Sequence, residues 1–267
     1  MPSSKSALGS ERLDTLLVSQ GLVETRSRAQ ALVLAGAVRV GGEVVTKAGS
    51  RFASDAELSV EGGSPYVSRA GEKLAGALDD FGVEVASREC LDAGASTGGF
   101  TDVLLQRGAS RVISADVGYG QLDWRLRNDS RVSVMERTNL RHIAADGLPF
   151  QPDFLVADLS FISLPVALES IISTSASLQE MVLLVKPQFE AGREHVGRGG
   201  VVSDPQARAG AIHRVMDALS PLGFGAVGIS RSAISGRRSG NREYPLRLLR
   251  GAEGSLTAER VREEVCE

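Results

Sequence analysis

Leu91-Asp92-Ala93-Gly94-Ala95-Ser96-Thr97-Gly98-Gly99-Phe100-Thr101 is the stretch on which the reading of this 267-residue chain turns. Cys90-Leu91 ends a short apolar segment before it. Phe100 to Gln106, with apolar residues at Phe100, Val103 and Leu104, reads as a helix after it. A strand, a glycine-rich turn and a helix N-terminus can hold a nucleotide-like ligand against backbone N–H groups. The spacing narrows the choice. A dinucleotide fingerprint needs G-x-G-x-x-G, whereas Gly94 is followed by three residues and then Gly98-Gly99. A P-loop would end in Gly-Lys-Ser/Thr, and no lysine follows. The remaining choices are a different small cofactor on this turn, or an ordinary tight turn in an unrelated α/β domain.

Working outward, the pattern predicts strands over Val83–Leu91, Val112–Asp116, Val132–Met135, Phe154–Asp158 and Met181–Val185. Two more follow over Gly225–Ile229 and Tyr244–Leu249. Between them fall helices running to about Arg107, around Gln121–Arg127, and over Pro165–Ser173 and Pro205–Leu219. Alternation at these lengths argues for a doubly wound, mainly parallel sheet. Functional residues in such a sheet belong at the carboxyl ends of strands, where Asp92, Asp116, Asp158 and Lys186 all fall. Asp116 lies one strand-helix-strand unit after the glycine loop, the usual position of an acid that binds ribose hydroxyls.

Before the sheet the text is different. Residues 1–10 are Ser-rich and polar, a mobile arm by composition. From 11 to 62 the chain reads as a small domain of its own. Leu13, Leu16 and Leu17 share a helical face, with Gly21 as the stop. Thr25 or Ser27 can cap a second helix carrying Ala29, Leu32 and Val33. Val38–Val40, the turn Gly41-Gly42, Glu43–Val45 and Ala56–Val60 make a small sheet. Residues 63–67 are a linker, 68–250 the main domain and 251–267 an acidic tail.

Composition removes several classes. No apolar run approaches the ~18 residues of a membrane span, and the N-terminus lacks a hydrophobic signal region, so a cytoplasmic protein is expected. Cys90 and Cys266 are unlike partners, and His142, His195 and His213 are scattered, so neither a disulfide nor a metal is expected. The net charge of −3 is uneven: residues 181–250 carry eleven basic against five acidic side chains, a place for a polyanion or simply a solvated face. Oligomeric state is left open.

Two resemblances enter on these residues. The acid-Ala-Gly-x-x-x-Gly-Gly loop is similar to that of S-adenosylmethionine-dependent methyltransferases, which implies cofactor contacts from Asp92, Gly94, Ser96, Thr97, Gly98, Gly99, Phe100, Asp116 and Val117. Asp92 would receive the methionine ammonium. The N-terminal pattern Arg12-Leu13-Asp14, Thr25-Arg26-Ser27-Arg28-Ala29 and Gly36-x-Val38-x-Val40-Gly41-Gly42 resembles the αL RNA-binding domain named after a small-subunit ribosomal protein. That likeness implies phosphate contacts from Arg12, Arg26, Arg28, Arg39 and Lys47. Both likenesses meet in the TlyA family, haemolysin-annotated proteins that resemble FtsJ-type ribose methyltransferases fused to an αL domain. The matching motifs are Asp92–Thr101, Ala115–Leu122, Ala157–Ser163, Leu184–Glu190 and Gly199-Gly200-Val201-Val202-x-Asp204-Pro205.

The resemblance implies a Rossmann-like class I methyltransferase that methylates the 2′-oxygen of cytidine in 23S, and in some members 16S, ribosomal RNA. Its Lys-Asp-Lys-Glu set falls on Lys73, Asp158, Lys186 and Glu243. A ribose hydroxyl is a poor nucleophile, so a base must take its proton as it attacks the methyl group. Lys186 is the expected base, oriented by Asp158, while Lys73 and Glu243 position the ribose and balance charge. Mycobacterial members carry Arg-x-Trp-Val before this domain, whereas this chain has Ser64-Pro65-Tyr66-Val67. The competing readings are a non-catalytic ribosome-assembly factor, a methyltransferase for another acceptor and, least supported, a pore-forming haemolysin.

Overall fold

The computed structural model describes residues 10–23, 25–60, 65–232 and 241–266. The chain forms two compact units that divide between Gly63 and Ser64.

In the smaller unit, β1 (Ser10–Arg12) runs into α1 (Leu13–Ser19), followed by α2 (Arg26–Leu34), β2 (Val38–Val40), β3 (Glu43–Val44), β4 (Arg51–Ala53) and β5 (Leu58–Val60). Leu13, Leu16 and Leu17 are buried, as their spacing on one helical face requires. Thr25 caps α2, its hydroxyl accepting from the Arg28 N–H. β2 lies between β3 and β5, both antiparallel to it. A separate ribbon pairs β1 with β4 and brings Ser10 into the fold. The rest of the expected arm, residues 1–9, lies outside the described residues.

The larger unit opens with α3 (Arg69–Phe81), then β6 (Glu89–Ala93), α4 (Gly99–Gln106), β7 (Arg111–Ala115), α5 (Trp124–Arg127) and β8 (Val132–Met135). It continues through β9 (Phe154–Ala157), α6 (Leu164–Thr174), β10 (Glu180–Val185), α7 (Pro187–Glu190), α8 (Pro205–Leu219), β11 (Phe224–Ile229), β12 (Tyr244–Arg250) and α9 (Ala258–Cys266). One seven-stranded sheet runs in the order β11-β12-β10-β9-β6-β7-β8. Its five central and outer strands from β10 to β8 are parallel, and β12 is antiparallel to both neighbours. The chain moves from β6 outward to β7 and β8, then returns to the other side of β6 for β9 and β10. The switch point therefore lies between β6 and β9, and the glycine loop leaves the sheet there.

Three boundaries differ from the sequence expectation. β6 starts at Glu89 rather than Val83, because Gly82 (φ +59°) and Ser87 (φ +64°) turn the chain beforehand; Val83 and Val85 are buried in a loop. The helix expected from Gln121 is only Trp124–Arg127, begun by Asp123, whose carboxylate accepts from the Arg125 N–H. The acidic tail contains a helix, α9, whose Val261 and Val265 are fully buried against the main core. Arg208 in α8 donates to the Val265 carbonyl and ties that helix down. Of the expected linker, Gly63 and Ser64 lie outside the described residues. Val67 is buried and donates its N–H to Asp102 Oδ2 at 2.8 Å, so it belongs to the larger unit.

Candidate active site

The end of β6 and the start of α4 meet in a loop that has little room for side chains. Gly94 sits at φ +86°, and a Cβ there would lie 2.7 Å from the Asp158 carbonyl oxygen. Gly99 and Gly71 permit a close crossing of α4 and α3: a Cβ on Gly99 would lie 2.9 Å from the Gly71 nitrogen. That crossing sets the path of α3 and hence the position of Lys73.

Two cavities open beside this loop. The larger, about 530 Å³, is walled by Ala115, Val117, Leu140, Leu159, Phe161, Ile162 and Ala167, with Asp116, Gln121, Thr138 and Asn139 as its polar edge. The smaller, about 190 Å³, is lined by Ser68, Ala70, Ala95, Thr97, Phe100 and Lys186. Gly94, Ser96, Asp158 and Ser160 line both, so the cavities share one seam. Asp116 receives the N–H groups of Ser96 (2.9 Å) and Gly118 (2.6 Å) on its two oxygens and keeps the remaining lone pairs toward the larger cavity.

Size, an apolar slot, a carboxylate at a strand end and a backbone kept bare at Gly94 fit a nucleoside-bearing cofactor. S-adenosylmethionine meets those terms. Asp116 and Val117 would flank its nucleoside, and Gly94 and Ser96 its methionine portion.

Asp92 does something else. It is fully buried; Oδ2 accepts from the Thr101 N–H (2.8 Å) and hydroxyl (2.6 Å), while Oδ1 has no partner among the described residues. It lines neither cavity, so in this structure the carboxylate lies under the loop rather than in the space where the ammonium contact was expected. The side chain turns under the loop and braces the first turn of α4, where a carboxylate is favoured. Burial pushes its carboxyl up to about 7, against the opposing Thr101 hydrogen bonds. Gly98 and Gly99 are likewise buried and line neither cavity.

The expected catalytic set forms two ion pairs. Lys186 Nζ lies 2.5 Å from Asp158 Oδ1 and donates to Ser160 Oγ at 3.0 Å. Lys73 Nζ lies 2.5 Å from Glu243 Oε2. Sheet register brings the pairs to one edge. Val185 pairs with Tyr244, so Lys186 and Glu243 are the next positions on adjacent antiparallel strands, while Asp158 follows Ala157 on β9, opposite Leu183 of β10. All four side chains are nearly buried, with Asp158 the most accessible at 15%.

Two neighbours were not among the expected site residues. Ser160 is one. Phe161 is the other: it is 91% exposed at φ +66°, an unusual conformation for a bulky residue, with its ring 5.2 Å from that of Phe189. Both fall within the Ala157–Ser163 stretch, but no spacing rule separates them from ordinary strand-end residues. A further open groove of about 770 Å³ along β11 contains none of these residues.

In the small unit the expected phosphate-binding residues divide. Arg12 (2.8 Å), Arg26 (3.0 Å) and Gln30 (2.8 Å) all donate to Asp14 Oδ2, a fully buried carboxylate. Arg12 holds that carboxyl well below the usual range despite the burial. Arg39 donates to the Gly42 carbonyl at 2.9 Å, and Arg28 and Lys47 are exposed. Arg12 and Arg26 are thus pinned by one acid with their side chains 41% and 57% exposed.

Comparison with known proteins assigns the two units. Residues 66–248 match the FtsJ-like methyltransferase family and residues 11–58 the S4 domain. The chain is 46% identical over 256 residues, 95% of each chain, to the 16S/23S rRNA (cytidine-2′-O)-methyltransferase TlyA of Mycobacterium tuberculosis. It is 41% identical to Hemolysin A of Brachyspira hyodysenteriae over 87% of this chain and 97% of that one. A solved Streptococcus thermophilus structure carrying a hemolysin label superposes with a TM-score of 0.74 at 39% identity, covering 97% of this chain and 96% of the other. The chain belongs to the TlyA family, an S4 domain joined to an FtsJ-like, S-adenosylmethionine-dependent methyltransferase domain.

Proposed function

We propose that this protein transfers the methyl group of S-adenosylmethionine to the ribose 2′-hydroxyl of a cytidine in ribosomal RNA, with 23S RNA as a substrate and 16S RNA as a second one. The observation that carries the reading is Lys186 Nζ, held by Asp158 at the seam between a cofactor-sized cavity and a smaller one. When bound, the cofactor supplies an electrophilic methyl group on a positively charged sulfur. Lys186, in its neutral form, takes the proton of the 2′-hydroxyl as that oxygen attacks. Asp158 fixes the amine. Lys73 and Glu243 pair with each other one strand away and line neither cavity; their role is to position the sugar from the same end of the sheet. Phe161 offers a free aromatic face at the mouth of the larger cavity, a surface on which a base lifted out of its stack can lie. The substrate itself comes from the M. tuberculosis relative, whose name states cytidine 2′-O-methylation of 16S and 23S rRNA. The S4 domain, with Arg28 and Lys47 exposed and Arg12 and Arg26 held outward, supports an RNA over a small-molecule acceptor.

Among the described residues no helix is long and apolar enough to cross a membrane, as a helical pore would require. The assembly-factor reading would stand if cofactor bound without transfer. The test is tritiated methyl transfer to separated ribosomal subunits and to their naked RNAs, with wild type beside K186A. Incorporation lost in the variant supports the reading, and its distribution over subunits decides between one substrate and two. No incorporation into any RNA, with cofactor binding intact, overturns it.

A further inference from the structure

We infer that Ser160 is a positioning residue for Lys186, the hydroxyl whose hydrogen bond fixes the torsion at which the amine is presented to the acceptor ribose; this rests on the function proposed above.

A lysine nitrogen has three tetrahedral directions beyond its bond to Cε. Ser160 Oγ occupies one at 3.0 Å, and it is the hydrogen-bond acceptor of this nitrogen among the described residues. Asp158 Oδ1 lies 2.5 Å away as an ion-pair contact that lacks hydrogen-bond geometry. With Asp158 alone, its charge would hold the nitrogen nearby but no hydrogen bond would fix rotation about the Cε–Nζ bond. With Ser160 in place, one N–H is drawn to its oxygen, and the torsion that sets where the remaining directions point is held.

The surroundings give that position a meaning. Ser160 is exposed while Lys186 is 8% exposed, so the hydroxyl stands between the buried amine and open space. Ser160 and Asp158 line both cavities and Lys186 lines the smaller, so the two residues that contact the nitrogen border both spaces. Among the described residues nothing accepts the Ser160 hydrogen. Directly after it, Phe161 adopts φ +66°. A bulky residue adopts that conformation rarely, and only where the surroundings impose it. The turn therefore falls immediately beyond the residue whose hydroxyl meets the lysine.

In the transfer, the 2′-oxygen bonds to the methyl carbon as the carbon–sulfur bond breaks and its electron pair passes to sulfur. The hydroxyl proton goes to Lys186 Nζ. Ser160 neither gains nor loses a proton; its part is to aim the acceptor of that proton.

The experiment compares wild type, S160A and S160T as full-length protein. In S160A, kcat for methyl transfer to ribosomal RNA is expected to fall about tenfold, a small misalignment cost. Affinities for cofactor and RNA, titrated directly, stay within about twofold because the contact removed is made to Lys186. S160T, which keeps the hydroxyl, restores kcat. Independently of turnover, carbon relaxation of the Lys186 ε-methylene in cofactor-free protein should report greater mobility in S160A than in wild type or S160T. An S160A protein with wild-type kcat and wild-type Lys186 mobility overturns the inference. If wild type itself transfers nothing to RNA, the proposed function fails, while the mobility comparison still decides whether Ser160 holds the lysine.

Discussion

The two ends of β9 and β10 each carry a network of buried or half-buried charges, and only one of them sits beside a cavity built for chemistry. At the amino ends, Arg88 Nε donates to Asp153 at 2.6 Å and its Nη1 pairs with Glu180, while Arg247 donates to Glu180 at 2.7 Å and to the Phe81 carbonyl at 2.9 Å. Arg88 also stacks on the Phe154 ring, 4.4 Å from its centre. At the carboxyl ends, Lys186 meets Asp158 and Lys73 meets Glu243. Burial and opposite charge are common to both ends, so neither identifies the site. The cation does. Arginine presents five donors in a fixed fork and does not give up its charge, which suits a cross-brace between strands. Lysine is a single nitrogen with rotatable directions that can give up a proton, and here a hydroxyl holds its torsion.

Exchanging the cations is the strongest way to break this comparison. K186R keeps a positive charge opposite Asp158 but cannot act as a base, and methyl transfer should fall by about 10² to 10⁴ while the fold persists. Retained activity would show that Lys186 is only another brace. The reciprocal R88K should leave kcat alone and lower unfolding free energy by about 2 kcal/mol in urea titration, because one ammonium cannot serve two carboxylates and a ring together. Loss of activity in the folded R88K protein would erase the distinction between the ends.

Asp92 sharpens it further, as a buried carboxyl with no cation paired to it among the described residues. Its folded value of about 7 lies above the unfolded reference of ~3.9, so the folded state holds the extra proton between those limits. Stability from this group is therefore present at low pH and lost as pH rises from about 4 to about 7, at up to about 1.4 kcal/mol per pH unit. D92N should remove that component, so its unfolding free energy changes less than that of wild type between pH 5 and pH 7. An identical pH dependence in both proteins would contradict the buried, uncompensated position.

The smallest expected effect lies in the S4 domain. R28A should weaken RNA binding about equally for all sequences and reduce the salt dependence by roughly one phosphate contact. R12A should do more, since it also strips a partner from the buried Asp14. Equal, negligible effects of both would remove this face from the RNA interface.

Much of this was legible in the residues. The glycine spacing, the alternation of elements and the placement of Asp116, Asp158 and Lys186 at strand ends follow from local rules. Side-chain direction at a strand end does not: Asp92 could face the loop or the helix beneath it, and only the packing of Thr101 against it decides. Val261 and Val265 sit four apart, a helical stripe, yet the acidic residues around them dominate the composition and the segment reads as a tail. Ser160 acts through a hydroxyl that gains its meaning only when β10 brings Lys186 beside it.

The most direct test of the central claim is nucleoside mass spectrometry of ribosomal RNA treated with S-adenosylmethionine and the wild-type or K186R protein. The account predicts 2′-O-methylcytidine from wild type and none above background from K186R. A methyl group on a base, or the same ribose methylation from K186R, would contradict it.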